Sequence, residues 1–180
     1  MDHNLNGTER LVIRMMEQRD LEDARQLHND DSTLLRLSDV SHVSEAAQAE
    51  WFRSMSLSRS SRRYVARQRS DDHFVGVFRL DRIDPWNRNA FVGADVVAGL
   101  RGKGYATEMF EYICSFLFDH GGMHRLALVT LASNLAAISL YEKLGFVREG
   151  QERQAIFRDG QFQDLVAMGV LADEWRSRRT

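Results

Sequence analysis

The most informative segment of this sequence is Arg101-Gly102-Lys103-Gly104-Tyr105-Ala106. The preceding residues, from Ala90 to about Val97, have the pattern of a β-strand, and apolar residues recur at helical spacing after the stretch. The two glycines let the backbone bend tightly, so that several N–H groups at the start of a helix can point at one anion. The stretch therefore predicts a strand, turn and helix that bind a diphosphate. The alternative is an ordinary turn whose basic side chains lie in water.

The segments after this turn repeat the same arrangement. The helix from Tyr105 ends at Gly121-Gly122, and a buried strand over Leu126-Ala127-Leu128-Val129 follows. Ser133 or Asn134 is predicted to cap a second helix, which ends at Gly145. The remainder contains two strands, about Val147 to Phe157 and Phe162 to Leu171, joined by a hairpin turn at Asp159-Gly160.

The segments before the turn add strands and two capped helices. Leu11 to Met15 is predicted to be a strand, and Tyr64 to Ala66 is predicted to pair with Phe74 to Phe78 as a hairpin. Asp20 and Ser44 are the predicted caps of the two helices. These elements predict a mixed α/β sheet in a single domain over residues 1–180, with a polar lead at 1–9 and a tail at 176–180.

Composition excludes several classes of protein. The chain has 24 basic and 26 acidic residues, a balance that gives no overall attraction to nucleic acid or to an anionic membrane. The sequence contains no signal peptide and no run of about 18 apolar residues, so we expect no membrane segment. One cysteine, Cys114, predicts inert packing and a cytoplasmic protein, and the six histidines lack the spacing of a zinc site, so no metal is expected.

Two motifs in order resemble the GNAT superfamily of acetyl-coenzyme A-dependent N-acetyltransferases. Arg101 to Ala106 matches the family signature Gln/Arg-x-x-Gly-x-Gly/Ala. Asn134 to Phe146 resembles the second cofactor segment, with its Tyr-x-x-x-Gly-Phe ending. The Asp159 to Phe162 hairpin followed by Asp164 resembles the branch that holds ribosomal-protein N-terminal acetyltransferases, spermidine acetyltransferases and some amino-sugar acetyltransferases. The resemblance implies a mostly antiparallel sheet, splayed between strands 4 and 5, with helices on both faces, and acetyl-CoA as the cofactor.

The same resemblance implies the residues that hold the cofactor. It assigns the backbone of Val96 and Val97 to the pantetheine arm, and the Asn134 side chain to the cofactor arm, although Asn134 can equally serve only as a helix cap. The pyrophosphate is assigned to the turn, that is, to Arg101, Gly102, Lys103, Gly104, Tyr105 and Ala106. Tyr141 is the implied general acid for the departing thiolate, and a plain core aromatic is the alternative.

The general base is left open by the sequence. Many relatives carry a Glu on the fourth strand, where this chain has Phe91. Asp95 lies four residues further, on the same side of a regular strand, but a bulge expected near the splay would change its direction. Glu149, Glu152 and ordered water are the other candidates.

The expected activity is N-acetylation of a primary amine by direct attack on acetyl-CoA, with a peptide N-terminus, a polyamine or an amino sugar as acceptor. Phe91 at the position of the expected base also allows a coenzyme A-binding sensor without catalysis. The exposed strands of the last hairpin favour a homodimer. An arginine-rich segment is expected to form a solvated rim and not a nucleic-acid site; it contains Arg53, Arg59, Arg62, Arg63, Arg67 and Arg69.

Overall fold

The computed structural model describes residues 7–37 and 39–178. None of the helices within these two ranges is both long enough and apolar enough to cross a membrane. The elements, apart from short 3₁₀ turns, are β1 Leu11–Met15, α1 Leu21–Asn29, α2 Asp31–Leu34, α3 Glu45–Leu57, β2 Arg62–Gln68, β3 Phe74–Asp84, β4 Asn89–Val96, α4 Tyr105–Asp119, β5 Arg125–Leu131, α5 Leu135–Lys143, β6 Val147–Arg158, β7 Gln161–Leu171 and α6 Ala172–Ser177.

The strands form one seven-stranded sheet in the order β1-β2-β3-β4-β5-β7-β6. Strands β4 and β5 are parallel, and every other neighbouring pair is antiparallel. The β4 and β5 strands pair only from Asn89 with Arg125 to Phe91 with Ala127. Beyond Phe91 the two strands continue without pairing to each other, so the sheet is splayed where the sequence predicts it.

Strand β4 is regular over the length that faces the splay. Its register with β3 runs unbroken from Val96 opposite Gly76 to Phe91 opposite Asp81. The bulge expected near Asp95 is therefore wrong, since the register shift lies at the other end, between Asp81 and Asp84. Phe91 and Asp95 consequently point to the same face of the sheet.

Two hydrophobic clusters cover opposite faces of the sheet. Neighbouring residues of β2 divide between them, because Val65 packs with α1 residues Ala24 and Leu27, whereas Ala66 packs in the larger cluster with α4 and α5. Alternation along a strand sends successive side chains to opposite faces. Helices thus lie on both faces, as predicted, and burial of these faces stabilises the sheet by the hydrophobic effect.

Local capping signals are confirmed in two of three cases. The Ser44 hydroxyl accepts a hydrogen bond from the Ala47 N–H at 3.2 Å, and Asn134 caps α5. The cap predicted at Asp20 is wrong, because its side chain makes no cap hydrogen bond. The buried Asp20 carboxylate instead accepts hydrogen bonds from Arg14 at 2.7 Å and from Arg67 at 3.1 Å. These ion pairs tie α1 to β1 and β2.

Candidate active site

The glycine turn before α4 presents a row of backbone donors. Gly102 and Gly104 have φ angles of 75° and 84°, in the left-handed region that favours glycine. Within the described residues, no backbone hydrogen bond uses the N–H groups of residues 102–107, and the first bond into α4 runs from Glu108 N to Gly104 O at 3.1 Å. These N–H groups and the helix dipole at the start of α4 suit a diphosphate.

Arg10, directly before strand β1, supports the turn. Its Nη1 donates to the Lys103 carbonyl at 3.2 Å, and its Nε donates to Glu108 Oε2 at 2.7 Å. Its guanidinium carbon also lies 4.7 Å from the ring centroid of Tyr105. The Tyr105 hydroxyl accepts a hydrogen bond from the Gln68 side chain at 3.0 Å. The Tyr105 side chain therefore points toward strand β2, and only the Tyr105 backbone lies at the turn. Sequence reasoning missed Arg10, because nothing local links it to a turn about 90 residues away.

Arg101 connects the glycine turn to helix α2. Its Nε donates to the Val96 carbonyl at 2.9 Å. Its Nη1 and Nη2 donate to the hydroxyls of Ser32 at 2.7 Å and Thr33 at 2.6 Å, both in α2. The side chain is therefore committed to α2 and strand β4, and only the backbone of Arg101 remains close to the turn.

The end of β4 supplies backbone donors to the splay. The Val97 N–H donates to the Val75 carbonyl at 3.0 Å, so it is already paired with β3. Hydrogen-bonding direction alternates along an antiparallel strand, so the N–H groups of Val96 and Ala94 point away from β3. They face the opening between β4 and β5. Of the two residues assigned to the pantetheine arm, Val96 has its N–H directed there.

Tyr141 lies on α5 behind the splay, with 8% of its surface exposed. Its ring centroid is 5.5 Å from that of Phe110 and 5.9 Å from that of Phe146. Burial raises the pKa of Tyr141 to about 12, and the nearby charges of Arg79 and Asp95 shift it in opposite directions. The phenol thus remains protonated at neutral pH. Its sensitivity to Arg79 and Asp95 places these three side chains in one neighbourhood.

Asn134 caps α5 at the mouth of the same region. Its Oδ1 accepts from the Ala137 N–H at 3.3 Å. The cap uses only the amide oxygen, so the amide nitrogen can still donate to a ligand. Asn134 can thus cap the helix and still donate a hydrogen bond to the cofactor arm.

Asp95 forms an ion pair with Arg79 across β3 and β4. The pair fits because Gly93 lies opposite Arg79, and a β-carbon on Gly93 would come within 2.8 Å of the Arg79 guanidinium. The Asp95 carboxylate is therefore held by a cation on the neighbouring strand.

A cleft of about 780 Å³ opens on the face of the sheet where β4 and β5 separate. Phe91, Asp95 and Glu152 line the cleft, whereas Glu149 lies outside it. Glu149 forms an ion pair with Arg125, and this hydrogen-bonded pairing lowers the pKa of the Glu149 carboxyl. Two candidate bases, Asp95 and Glu152, thus share the cleft with Phe91, and the third is directed elsewhere.

The arginine-rich segment is only partly a solvated rim. Arg63 pairs with Asp81 at 2.7 Å, and Arg67 pairs with Asp23 at 2.5 Å. Both arginine side chains are at most 14% exposed, so the expectation of a fully solvated rim is wrong for these two residues. They lie in strand β2, where alternation turns them toward acidic partners on α1 and β3.

Two further observations concern reactive groups. Cys114 is fully buried in α4, and burial raises the pKa of its thiol, so it packs in the core. Within residues 7–37 and 39–178, no three His, Cys, Asp or Glu side chains come together in a way that could hold a metal ion.

Known proteins share both the sequence pattern and the architecture. A family model described as an acetyltransferase (GNAT) domain matches residues 10–147. An uncharacterized SPbeta prophage-derived N-acetyltransferase of Bacillus subtilis, YokL, is 31% identical over 147 residues, which are 81% of this chain and 82% of the relative. A spermidine N(1)-acetyltransferase of Vibrio cholerae is 24% identical over 168 residues, or 93% of this chain and 96% of the relative.

A solved structure has the same fold. The crystal structure of spermidine N-acetyltransferase from Vibrio cholerae, in complex with CoA and spermine, superposes with a TM-score of 0.89 at 24% identity, and the match covers 94% of this chain and 99% of that one. The predicted splayed architecture and the resemblance to the branch that contains spermidine acetyltransferases are confirmed. Acetyl-CoA is the cofactor of this enzyme class, and the chain belongs to the GNAT acetyltransferase family.

Proposed function

We propose that this protein transfers the acetyl group of acetyl-CoA to a primary amine by direct attack of the amine. The observation that carries the proposal is the convergence at one opening of the sheet. The glycine turn follows the end of β4, the N–H groups of Ala94 and Val96 point away from β3, and the charges of Asp95 and Arg79 on β4 and β3 influence the Tyr141 hydroxyl. The acceptor cleft of about 780 Å³ opens at the same place.

The residues fit the cofactor in a specific way. The row of N–H groups at residues 102–107 would hold the diphosphate, and the Val96 backbone and the Asn134 amide would hold the arm that leads into the splay. Acetyl-CoA supplies an acetyl group that is activated as a thioester. The N–H groups of Ala94 and Val96 would stabilise negative charge on the acetyl oxygen. Tyr141 Oη would hold a proton for the departing thiolate.

An ammonium group has to lose a proton before it can attack. We propose ordered water in the cleft as the proton acceptor in preference to Asp95, because the Asp95 carboxylate is paired with Arg79. Phe91 cannot accept a proton, and Glu149 lies outside the cleft. Fixing the amine and the thioester beside each other would supply much of the acceleration.

A panel of amines tests this proposal. Spermidine, an alanyl peptide, glucosamine and glucosamine 6-phosphate are each incubated with acetyl-CoA, and the acetylated product is identified by mass spectrometry. The expected result is enzyme-dependent acetylation of at least one amine at a rate well above the spontaneous reaction. Tight coenzyme A binding without turnover of any amine would instead support a non-catalytic sensor.

A further inference from the structure

We infer that the acceptor amine also carries a negatively charged group, a phosphate or a carboxylate, which is bound by Arg36 and Arg82. The inference rests on the proposed function and narrows its acceptor. It separates this chain from a polyamine acetyltransferase, whose substrate carries only positive charge. Both arginines line the acceptor cleft.

The free charges of the cleft are balanced between acidic and basic groups, which suits a zwitterionic ligand better than a polycation. Four arginines and four carboxylates line it; the arginines are Arg36, Arg63, Arg79 and Arg82, and the carboxylates are those of Asp39, Asp81, Asp95 and Glu152. Two of the carboxylates are neutralised by Arg63 and Arg79. In the part of the chain that the structure describes, the guanidinium groups of Arg36 and Arg82 form no ion pair or hydrogen bond, and the carboxylates of Asp39 and Glu152 form no ion pair. Two arginine charges are thus available to a ligand.

The backbone directs Arg82 to the position where a base was expected. Arg82 has a φ angle of 49°, unfavourable for a residue with a β-carbon, and it lies in the irregular register between Asp81 and Asp84. Its guanidinium carbon is 4.7 Å from the ring centroid of Phe91. The Phe91 ring holds the Arg82 cation beside the cleft and leaves its charge in place. A carboxylate at position 91 would instead neutralise that charge.

Arg36 adds a second positive charge to the cleft, directly after α2. Burial, followed by repulsion from Arg36, lowers the pKa of Arg101, so Arg36 lies close enough to the Arg101 guanidinium to interact with it. A bound anion would relieve that repulsion. Glu152 lines the same cleft and, within the described residues, has no ion-pair partner. The cleft thus suits a small ligand with an ammonium group and an anionic group.

Matched pairs of amines test the inference by turnover. Glucosamine 6-phosphate is compared with glucosamine for a phosphate, and 4-aminobutyrate is compared with putrescine for a carboxylate. We expect kcat/KM to be at least about tenfold higher for the anionic member of one pair or both. That preference should fall toward one in Arg36→Gln and Arg82→Gln, and persist in Arg53→Gln, whose exposed arginine lies outside the cleft and pairs with Glu50. Equal or better turnover of both glucosamine and putrescine, the members that lack an anionic group, would overturn the inference.

A binding measurement keeps the inference testable without turnover. N-acetylglucosamine 6-phosphate and N-acetylglucosamine are titrated by calorimetry into protein that is saturated with coenzyme A. We expect N-acetylglucosamine 6-phosphate to bind more tightly than N-acetylglucosamine. This difference should be lost in Arg36→Gln and Arg82→Gln, and thermal unfolding checks that both variants are folded. Binding of this kind with no acetylation of any amine would refute the proposed function and leave the anion site standing. Equal binding of the two sugars together with no preference in turnover would refute the anion site.

Discussion

At the scale of single residues, Tyr141 combines burial with closeness to charge, and the replacement of its hydroxyl is the simplest test of its role. We expect Tyr141→Phe to lower kcat by about tenfold to a hundredfold, because the thiolate would leave without a positioned proton. Coenzyme A affinity should be unchanged, the pattern of an interaction made mainly in the transition state. Steady-state kinetics with calorimetry measures both. Full activity of the variant at saturating amine would show that Tyr141 only packs.

The raised pKa of Tyr141 also predicts a change of stability with pH. The folded pKa of about 12 exceeds the ordinary value of 10.0, so the group favours folding below pH 10 and loses this contribution as the pH rises through 12. The free energy of unfolding should fall between pH 10 and 12 in the wild-type protein. We expect this fall to be about 1–3 kcal/mol smaller in Tyr141→Phe. Denaturant unfolding at several pH values measures the difference, and parallel curves would contradict it.

Asp95 tests the proposed route of the amine proton. Under the proposed water route, Asp95→Asn should retain most of the turnover, with a pH dependence that still follows the free amine. A pH profile of kcat/KM measures this, and Glu149→Gln is the control carboxylate outside the cleft. A large loss at neutral pH, recovered toward the pKa of the amine, would identify Asp95 as the base.

Residue roles were only partly predictable from the sequence. The regular alternation of β4 correctly placed Asp95 and Phe91 on one face. The pairing of Asp95 with Arg79 and the direction of Arg101 toward Ser32 and Thr33 depend on contacts between distant segments. Spacing along the chain carries no information about such contacts, and sequence reasoning therefore missed them.

At the scale of elements, the glycine turn should act through backbone conformation. Gly104 has a φ angle of 84°, where a β-branched side chain is strained. We expect Gly104→Val to lower coenzyme A affinity by at least tenfold in a protein that remains folded. Gly150→Val is the matched control, since a β-carbon at Gly150 has no neighbour within 4 Å. Unchanged affinity in folded Gly104→Val would refute the anion cradle.

Arg101 should link the cofactor turn to α2. Since its side chain is bonded to Ser32, Thr33 and the Val96 carbonyl, Arg101→Ala should raise the KM of the amine more than the Kd of coenzyme A. The loss of cofactor affinity should be smaller than in Gly104→Val. Steady-state kinetics and calorimetry compare the two constants. A loss confined to coenzyme A affinity would show that Arg101 instead serves the pyrophosphate.

Element types were predictable where periodicity was strong. Helix α4 begins at Tyr105 as predicted, because the glycine turn and the helical spacing agree. Strand β3 extends to Asp84, beyond the predicted end at Phe78. In the second half of β3, core residues alternate with Arg79 and Asp81, which face the cleft. Because these polar residues interrupt the apolar pattern, the sequence did not indicate a strand there.

At the scale of the whole molecule, we propose that the chain unfolds as one domain that the cofactor stabilises. One sheet joins the first strand to the last, so calorimetry should show a single transition whose midpoint rises with coenzyme A concentration. Two separate transitions would contradict the single domain. The splay could be expected from the family motifs. The charges of the acceptor cleft come from the segment after α2 and from β2, β3, β4 and β6, so they required the structure.

Initial rates with both substrates varied distinguish the proposed direct transfer from acetyl-CoA to an amine from transfer through an acetylated protein side chain. The amine used is whichever member of the panel is turned over best. Because both reactants meet at the splay, double-reciprocal plots should intersect, and protein incubated with acetyl-CoA alone should show no acetylated side chain by mass spectrometry. Parallel lines with a covalent acetyl-protein, the pattern of a ping-pong reaction, would contradict direct attack.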